Sequence, residues 1–107
     1  MSTLGNFPEN GFYRHYKYDA EGDLNNYTYE VLGVGRNTED DMLVVIYRPL
    51  YGSAWMAPAT HLSRPLEMFM EHVTKDGKSV PRFSRVRDSG LISKLEQIRT
   101  QMYVHKK

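Results

Sequence analysis

Cysteine is absent from this chain of 107 residues. Its absence excludes disulfide bonds, thiolate zinc sites and cysteine catalysis, and it is compatible with a reducing cytoplasm. No apolar run is long enough to cross a bilayer, and the first residues lack the basic and apolar regions of a secretory signal. We therefore expect a cytoplasmic protein without a membrane partner.

An excess of charge of one sign is also lacking. The chain has 14 Lys and Arg residues against 13 Asp and Glu residues, which gives a net charge of +1. No global field then recruits a nucleic acid or an acidic surface, so a charged partner must be held locally. The alternation of Tyr with basic residues over 13–18 would suit stacking on single-stranded nucleic acid, but the near-neutral charge argues against it.

The first half of the chain has the composition of β-strands separated by polar turns. Strands are predicted over about Phe12 to Tyr18, Tyr27 to Arg36 and Leu43 to Tyr47, because aromatic and β-branched residues are dense there. Gly33 and Gly35 interrupt the second strand and predict a bulge or a sharp coil.

A long irregular loop is predicted from Tyr51 to Ser63, and it carries Trp55. Ser63 can cap a short helical turn that runs from Arg64 to Met70, since proline is tolerated near the start of a helix.

The last third of the chain predicts a hairpin and a helix. The pair Asp76-Gly77 fits a type I′ turn between strands around 71–75 and 79–86. Asp88 or Ser89 then caps a final helix, which packs its apolar stripe on its own domain or on another chain. The stripe consists of Leu91, Leu95, Ile98 and Met102.

These elements favour a mainly β fold, a small SH3-like barrel of about five antiparallel strands with a short helical turn and a C-terminal helix. An open antiparallel α+β sheet with the helix across one face is the alternative, because the number of strands does not distinguish the two. We expect a flexible arm over 1–10, a β domain over 11–86 and a helical segment over 87–107. A monomer, or a weak homodimer through the helix, would follow.

In each of three predicted strands, an arginine occupies the same alternating positions as apolar residues and therefore shares a face with them. Side chains alternate between the two faces of a strand, so Arg14, Arg36 and Arg48 are predicted to converge. Buried cations require carboxylates or an anionic ligand, and Arg64 would join them from the helical turn. Internal pairing is one alternative, with Glu30 as a carboxylate in step with Arg36.

The opposite strand phase is the second alternative. In that arrangement Tyr29, Val31, Val45 and Tyr47 point inward and the arginines point to solvent.

Tyr13, His15 and Tyr47 share this opposite phase and would form an aromatic surface for a base, a sugar or a peptide side chain. Because the histidine side chain ordinarily titrates near neutral pH, His15 is also a candidate proton-transfer group. No nucleophile with a base partner and no phosphate loop is evident, and the four histidines lack metal-ligand spacing. We therefore predict neither a metal nor a cofactor.

Several ordered strings carry a family resemblance. They are Tyr13-Arg14-His15-Tyr16-Lys17, Tyr29-Glu30-Val31-Leu32-Gly33-Val34, Val44-Val45-Ile46-Tyr47-Arg48-Pro49-Leu50-Tyr51-Gly52, Arg64-Pro65-Leu66-Glu67-Met68-Phe69 and Pro81-Arg82-Phe83. Together they resemble a bacterial domain-of-unknown-function family, number 1653, over about Gly11 to Val86. The resemblance implies a compact, SH3-like, mostly β cytoplasmic domain, and it brings no established reaction, cofactor or substrate.

The leading hypothesis is a non-catalytic binding module for an anionic small molecule or an acidic peptide. Its rim would consist of arginines and tyrosines with Trp55 above them. The alternative is a small enzyme that uses His15 for proton transfer while arginines stabilise developing negative charge. The predicted ligand-binding residues are Arg14, Arg36, Arg48, Arg64, Tyr47, Trp55, Tyr13 and His15.

Overall fold

A computed structural model gives the fold and describes residues 7–51 and 61–103. The strands are β1 (Gly11–His15), β2 (Thr28–Arg36), β3 (Leu43–Pro49), β4 (Leu62–Pro65), β5 (His72–Lys75), β6 (Lys78–Pro81) and β7 (Phe83–Arg85), and the helices are α1 (Leu66–Met70) and α2 (Ser89–Met102).

Five strands form one antiparallel sheet in the order β4-β3-β2-β1-β7, and β5 and β6 form a separate hairpin. The mainly β class and the C-terminal helix are therefore confirmed. Closure into an SH3-like barrel is not, because within the described residues β4 and β7 each pair on one side only. The predicted count of about five strands is also too low, since β4 and the separation of β6 from β7 were not foreseen.

A bulge in β2 changes which residues share a face of the sheet. Val31 pairs with Tyr47, but Gly33 pairs with Ile46, so the strand holds one extra residue at Leu32. The bulge was predicted from the glycines. Its consequence is that the alternation of side chains along β2 reverses beyond this point.

One face of the sheet carries an aromatic core. Phe69 of α1 stacks on Phe83 with the ring centroids 4.2 Å apart, and this pair lies against Tyr13, Tyr29 and Tyr47. Edge-to-face contacts among the rings stabilise the cluster beyond the burial of their area. We call this side of the sheet the aromatic face.

The other side, which we call the helix face, is covered by α2. Leu95 is fully buried against Phe12, Leu50 and Val86, and Leu91 and Ile98 pack around this cluster. The predicted apolar stripe thus packs on the chain's own sheet, except that Met102 stays 38% exposed. The predicted division into arm, domain and helical segment is untested and stays a prediction.

The local signals for turns and caps were mostly correct. Asp76 and Gly77 have positive φ values of 53° and 78°, as a type I′ turn requires, and Asp88 accepts a hydrogen bond from the Leu91 N–H at 2.8 Å. The prediction that Ser63 caps a helix is wrong, because Ser63 lies in β4 and pairs with Ile46 of β3.

The predicted ends of the first and third strands also need correction. β1 ends at His15, where a turn closed by the Tyr18 N–H and the His15 carbonyl begins, and β3 runs on through Pro49. Neither α1 nor α2 has the length and apolarity that a crossing of the bilayer requires, as far as the described residues go.

Candidate functional site

The three strand arginines do not converge. Because of the bulge, Arg36 follows Val34 on the aromatic face, whereas Arg48 lies on the helix face. Arg14 lies opposite Thr28 at the start of β2, and Arg36 lies eight residues further along that strand, a distance of about 26 Å. Arg36 forms an ion pair with Asp41 at 3.4 Å, and its side chain is 57% exposed. The predicted convergence is therefore wrong, because a single inserted residue reverses the side-chain direction beyond it.

Arg48 is neutralised inside the fold. Its Nη2 lies 3.0 Å from Oε1 of Glu30, whose other oxygen accepts a hydrogen bond from Arg99 of α2 at 2.9 Å. The Arg48 guanidinium also lies 4.0 Å from the ring centroid of Tyr103. Internal pairing, the first alternative drawn from the sequence, therefore describes Arg48, although Glu30 pairs with Arg48 and not with Arg36, whose phase it was predicted to share.

Arg14 lies on the helix face with Arg48 but near the start of β2, where it is opposite Thr28. Its Nη2 donates to the Leu24 carbonyl at 3.0 Å, and its guanidinium lies 3.7 Å from the ring centroid of Tyr18. The buried Nε has no hydrogen-bond partner among the described residues. Arg14 thus packs against the loop that follows β1.

Arg64 has a different environment, because its partner across the β3–β4 ladder is Val45, on the aromatic face. Its Nε donates to the Tyr47 hydroxyl at 3.4 Å, and its guanidinium lies 5.5 Å from the ring centroid of Phe83. The Tyr29 and Tyr51 hydroxyls bond each other at 2.7 Å. A half-buried cation therefore adjoins a group of tyrosine hydroxyls.

His15 borders the same aromatic face. Its ring packs edge-on against Phe83 at 5.1 Å and stacks with Tyr27 at 5.8 Å. Its Nδ1 accepts the Lys17 N–H at 3.2 Å, so the neutral ring carries its proton on Nε2.

Electrostatics at His15 shows that this region is positive. Burial and, after it, the charges of Arg64, Arg82 and Lys17 together lower the pKa of His15 to about 4. Burial likewise raises the pKa of Tyr29, and the nearby Arg64 charge opposes that rise. At neutral pH His15 is therefore uncharged and lies among cations.

We name the group formed by Arg64, His15, Tyr29, Tyr47 and Tyr51 the Arg64 cluster. Of the predicted site residues it contains Arg64, His15 and Tyr47. Tyr13 lies on the same face but bonds the Glu9 carbonyl at 2.8 Å, and Trp55 lies outside the described residues.

Two members of the cluster, Tyr29 and Tyr51, and the neighbouring cations Arg82 and Lys17 were not predicted as site residues from the sequence. Tyr29 shares the phase of Val31 and was recognisable from the alternation along β2. Nothing in the sequence places Tyr51 beside Tyr29 or Arg82 near His15, since both proximities depend on the tertiary fold.

Every Asp and Glu of the sequence lies within the described residues, so the structure shows which arginines form ion pairs with acidic side chains. The arginines that pair with them are Arg36, Arg48, Arg82, Arg85 and Arg99. Arg64 is not among them, and its charge is therefore not neutralised by any acidic side chain of the chain.

The described residues contain no group of three or more His, Cys, Asp or Glu side chains that is suitable for holding a metal ion.

The chain matches the model of a known protein family. The model of a family described as a protein of unknown function, DUF1653, matches residues 11–85. The chain belongs to the DUF1653 family. The match begins with β1 and ends with β7, so α2 and its residue Arg99 lie beyond it.

A solved structure agrees with this membership. The chain is similar to a DUF1653 protein from Bordetella bronchiseptica, whose crystal structure aligns with a TM-score of 0.61 at 34% identity and covers 78% of this chain and 91% of that chain. No curated protein matches the chain. In this DUF1653 member the Arg64 cluster lies entirely within the residues that the family model matches.

Proposed function

We propose that this DUF1653 protein is a non-catalytic binding module that receives an anionic small molecule or an acidic peptide at the Arg64 cluster. The observation that carries the proposal is the half-buried guanidinium of Arg64, which has no acidic side-chain partner although all acidic residues are described. A cation in such surroundings is stabilised by an anion from outside the chain.

The chemistry of the cluster suits an anion with two oxygens. A guanidinium presents a planar set of donors that matches a carboxylate or a phosphate, and the Arg64 Nε is the donor held by Tyr47. Within the described residues its two Nη groups make no hydrogen bond, so they are the donors for a ligand. The Tyr29 and Tyr51 hydroxyls supply further polar groups nearby.

The positive potential at His15 supports the same proposal. Arg64, Arg82 and Lys17 all lower the pKa of His15, which means that their charges add at this position. Arg82 keeps Glu71 as a partner at 2.9 Å, so Arg64 and Lys17 carry the uncompensated part. Such a local field attracts an anion even though the net charge of the chain is close to zero.

The enzyme alternative, with His15 as a proton-transfer group, fits the cluster less well. A base whose pKa is about 4 holds a proton only weakly at neutral pH, whereas efficient general bases have a pKa near the working pH. The two hypotheses separate in mutants. His15→Gln should abolish turnover if His15 transfers protons, and it should leave ligand affinity largely intact if the cluster only binds.

The SH3-like barrel and the cytoplasmic location remain hypotheses that accompany this proposal. The bulge in β2 supports the first, since bulges increase the coiling of a sheet, and the lack of cysteine is compatible with the second.

Thermal-shift measurements with defined anions test the proposed function. Inorganic phosphate, phenyl phosphate and a tetra-glutamate peptide are compared at low ionic strength with phenol and tetra-glutamine as neutral controls. We expect at least one anion to raise the Tm by about 2 °C or more in the parent protein, because ligand binding stabilises the folded state.

The variant Arg64→Gln should lose this shift, and the matched control Arg36→Gln should keep it, because Arg36 is exposed and pairs with Asp41 at the distant end of β2. Circular dichroism confirms that both variants fold. If no anion raises the Tm, or if both variants respond like the parent protein, the proposal is wrong.

A further inference from the structure

A cavity lies on the aromatic face, where Tyr13, Phe69 and Phe83 line it. Its volume is about 370 Å³, which falls in the range of small-molecule sites. Tyr13, two residues before His15 in β1, contributes to its wall. No member of the Arg64 cluster lines this cavity, although Phe83 in the cavity wall also contacts Arg64 and His15.

The floor of the cavity is apolar. The stacked rings of Phe69 and Phe83 contribute to it, together with Phe7, Met70 and Pro81, the last residue of β6. Both stacked rings are almost fully buried, at 2% and 7% exposure, so their position is fixed by the core. A rigid apolar floor of this kind accepts an aliphatic or aromatic body without reorganisation.

The rim of the cavity is cationic. Arg85 pairs with Glu9 and donates to the Asn10 carbonyl at 3.3 Å, so it is engaged with the segment before β1. Arg87 also lines the cavity and is exposed, and it forms an ion pair with none of the acidic side chains, all of which are described.

Tyr13, in the cavity wall, is close enough to be influenced by these charges. Burial raises the pKa of Tyr13, the Arg85 charge opposes that rise, the Glu9 charge adds to it, and the Arg87 charge opposes it. The Arg87 charge therefore reaches the buried wall of the cavity as well as the solvent.

We propose that this cavity is a second binding site, for a small organic carboxylate with an apolar body. The carboxylate lies at the rim against Arg87, and the aliphatic or aromatic body lies on Phe69 and Phe83. Charge-assisted bonding by a guanidinium fixes the head of the ligand, and the apolar floor selects against small inorganic anions. This site is distinct from the Arg64 cluster and does not depend on the function proposed for it.

Isothermal titration calorimetry with octanoate and 4-phenylbutyrate tests the proposal. Acetate lacks the apolar body and octanol lacks the charge, so both controls should bind much more weakly. Arg87→Gln should weaken binding of the two carboxylates by about tenfold, because a charge-assisted hydrogen bond is lost. Arg64→Gln should leave it unchanged, which separates this site from the Arg64 cluster.

A second pair of variants tests the position of the site. Met70→Glu places a negative charge in the cavity wall and should weaken carboxylate binding, whereas Met42→Glu alters an equally exposed methionine outside the cavity and should not. The proposal is overturned if octanoate and 4-phenylbutyrate show no saturable binding. It is also overturned if Arg87→Gln and Met70→Glu both bind them like the parent protein.

Discussion

Glu30 is a buried carboxylate on the helix face, and it holds two arginines from different elements. Arg48 of β3 contacts one of its oxygens and Arg99 of α2 contacts the other, at 3.0 and 2.9 Å. The Glu30 side chain is only 11% exposed, so the negative charge is compensated by these two cations more than by water. The triad of Glu30, Arg48 and Arg99 thus connects the sheet to α2.

Replacement of Glu30 by glutamine should destabilise the protein by about 3 kcal/mol, because two largely buried cations lose their common partner. Urea unfolding followed by circular dichroism measures the change in the free energy of unfolding. Glu39→Gln is the matched control at an exposed turn and should change that free energy by less than about 0.5 kcal/mol. A loss as small as the control's would show that the triad contributes little.

At the scale of elements, two glycines that look alike in the sequence have different backbone requirements. Gly77 closes the β5–β6 hairpin with a φ of +78°, whereas Gly33 lies at the β2 bulge without a positive φ. A Cβ atom would meet no heavy atom within 4 Å at either position. The two sites therefore differ in backbone conformation and not in space.

Gly77→Ala should lower the free energy of unfolding by about 1 kcal/mol, because a residue with a Cβ is strained at positive φ. Gly33→Ala should leave it unchanged or raise it by up to about 0.5 kcal/mol, because the unfolded chain loses freedom while the folded chain is unstrained. Thermal unfolding of both variants under the same conditions gives the comparison. Equal destabilisation would contradict the assigned turn geometry.

The β2 bulge also shows what sequence patterns predict and where they fail. Hairpin, helix cap and strand composition depend on neighbouring residues, and those predictions agree with the structure at Asp76, Gly77 and Asp88. The bulge itself was predicted, but its effect on side-chain direction was not followed to Arg36. Alternate side chains of a strand stay on the same face only as far as a bulge, because the extra residue reverses the faces of all the residues beyond it.

The candidate site was predictable to a lesser degree. His15 and Tyr47 were placed on one face from their phase, and this is confirmed by their shared contacts with Phe83. Arg64 was assigned to a helical turn and lies instead in β4, whose pairing with β3 brings it to the aromatic face. A strand of four residues that ends in a proline is too short for its residue pattern to identify it.

At the scale of the whole molecule, two cores on opposite faces of one sheet hold the protein together. The helix-face core depends on α2, which lies beyond the residues that the DUF1653 model matches. Its central residue, Leu95, packs on Phe12, Leu50 and Val86 of the same chain. We therefore propose a monomer, since Leu95, the centre of the stripe that a dimer would use, is buried within the same chain.

Leu95→Ala should lower the free energy of unfolding by about 3 kcal/mol, because it leaves a cavity in a fully buried site. The loss should be the same at every protein concentration, as expected for a contact within one chain. Met102→Ala, at a stripe residue that is 38% exposed, serves as the control and should cost less than about 1 kcal/mol. A loss that depends on concentration would indicate a dimer contact.

The pKa of His15, followed by NMR from about pH 3 to about pH 8, tests the positive and uncompensated character of the Arg64 cluster most directly. The free protein should show a pKa near 4, and Arg64→Gln should raise it, because a neighbouring cation is removed. Saturating phenyl phosphate should also raise it in the parent protein, since an anion favours the protonated ring, but not in Arg64→Gln. An ordinary pKa near 6.5 that responds to neither change would contradict the account.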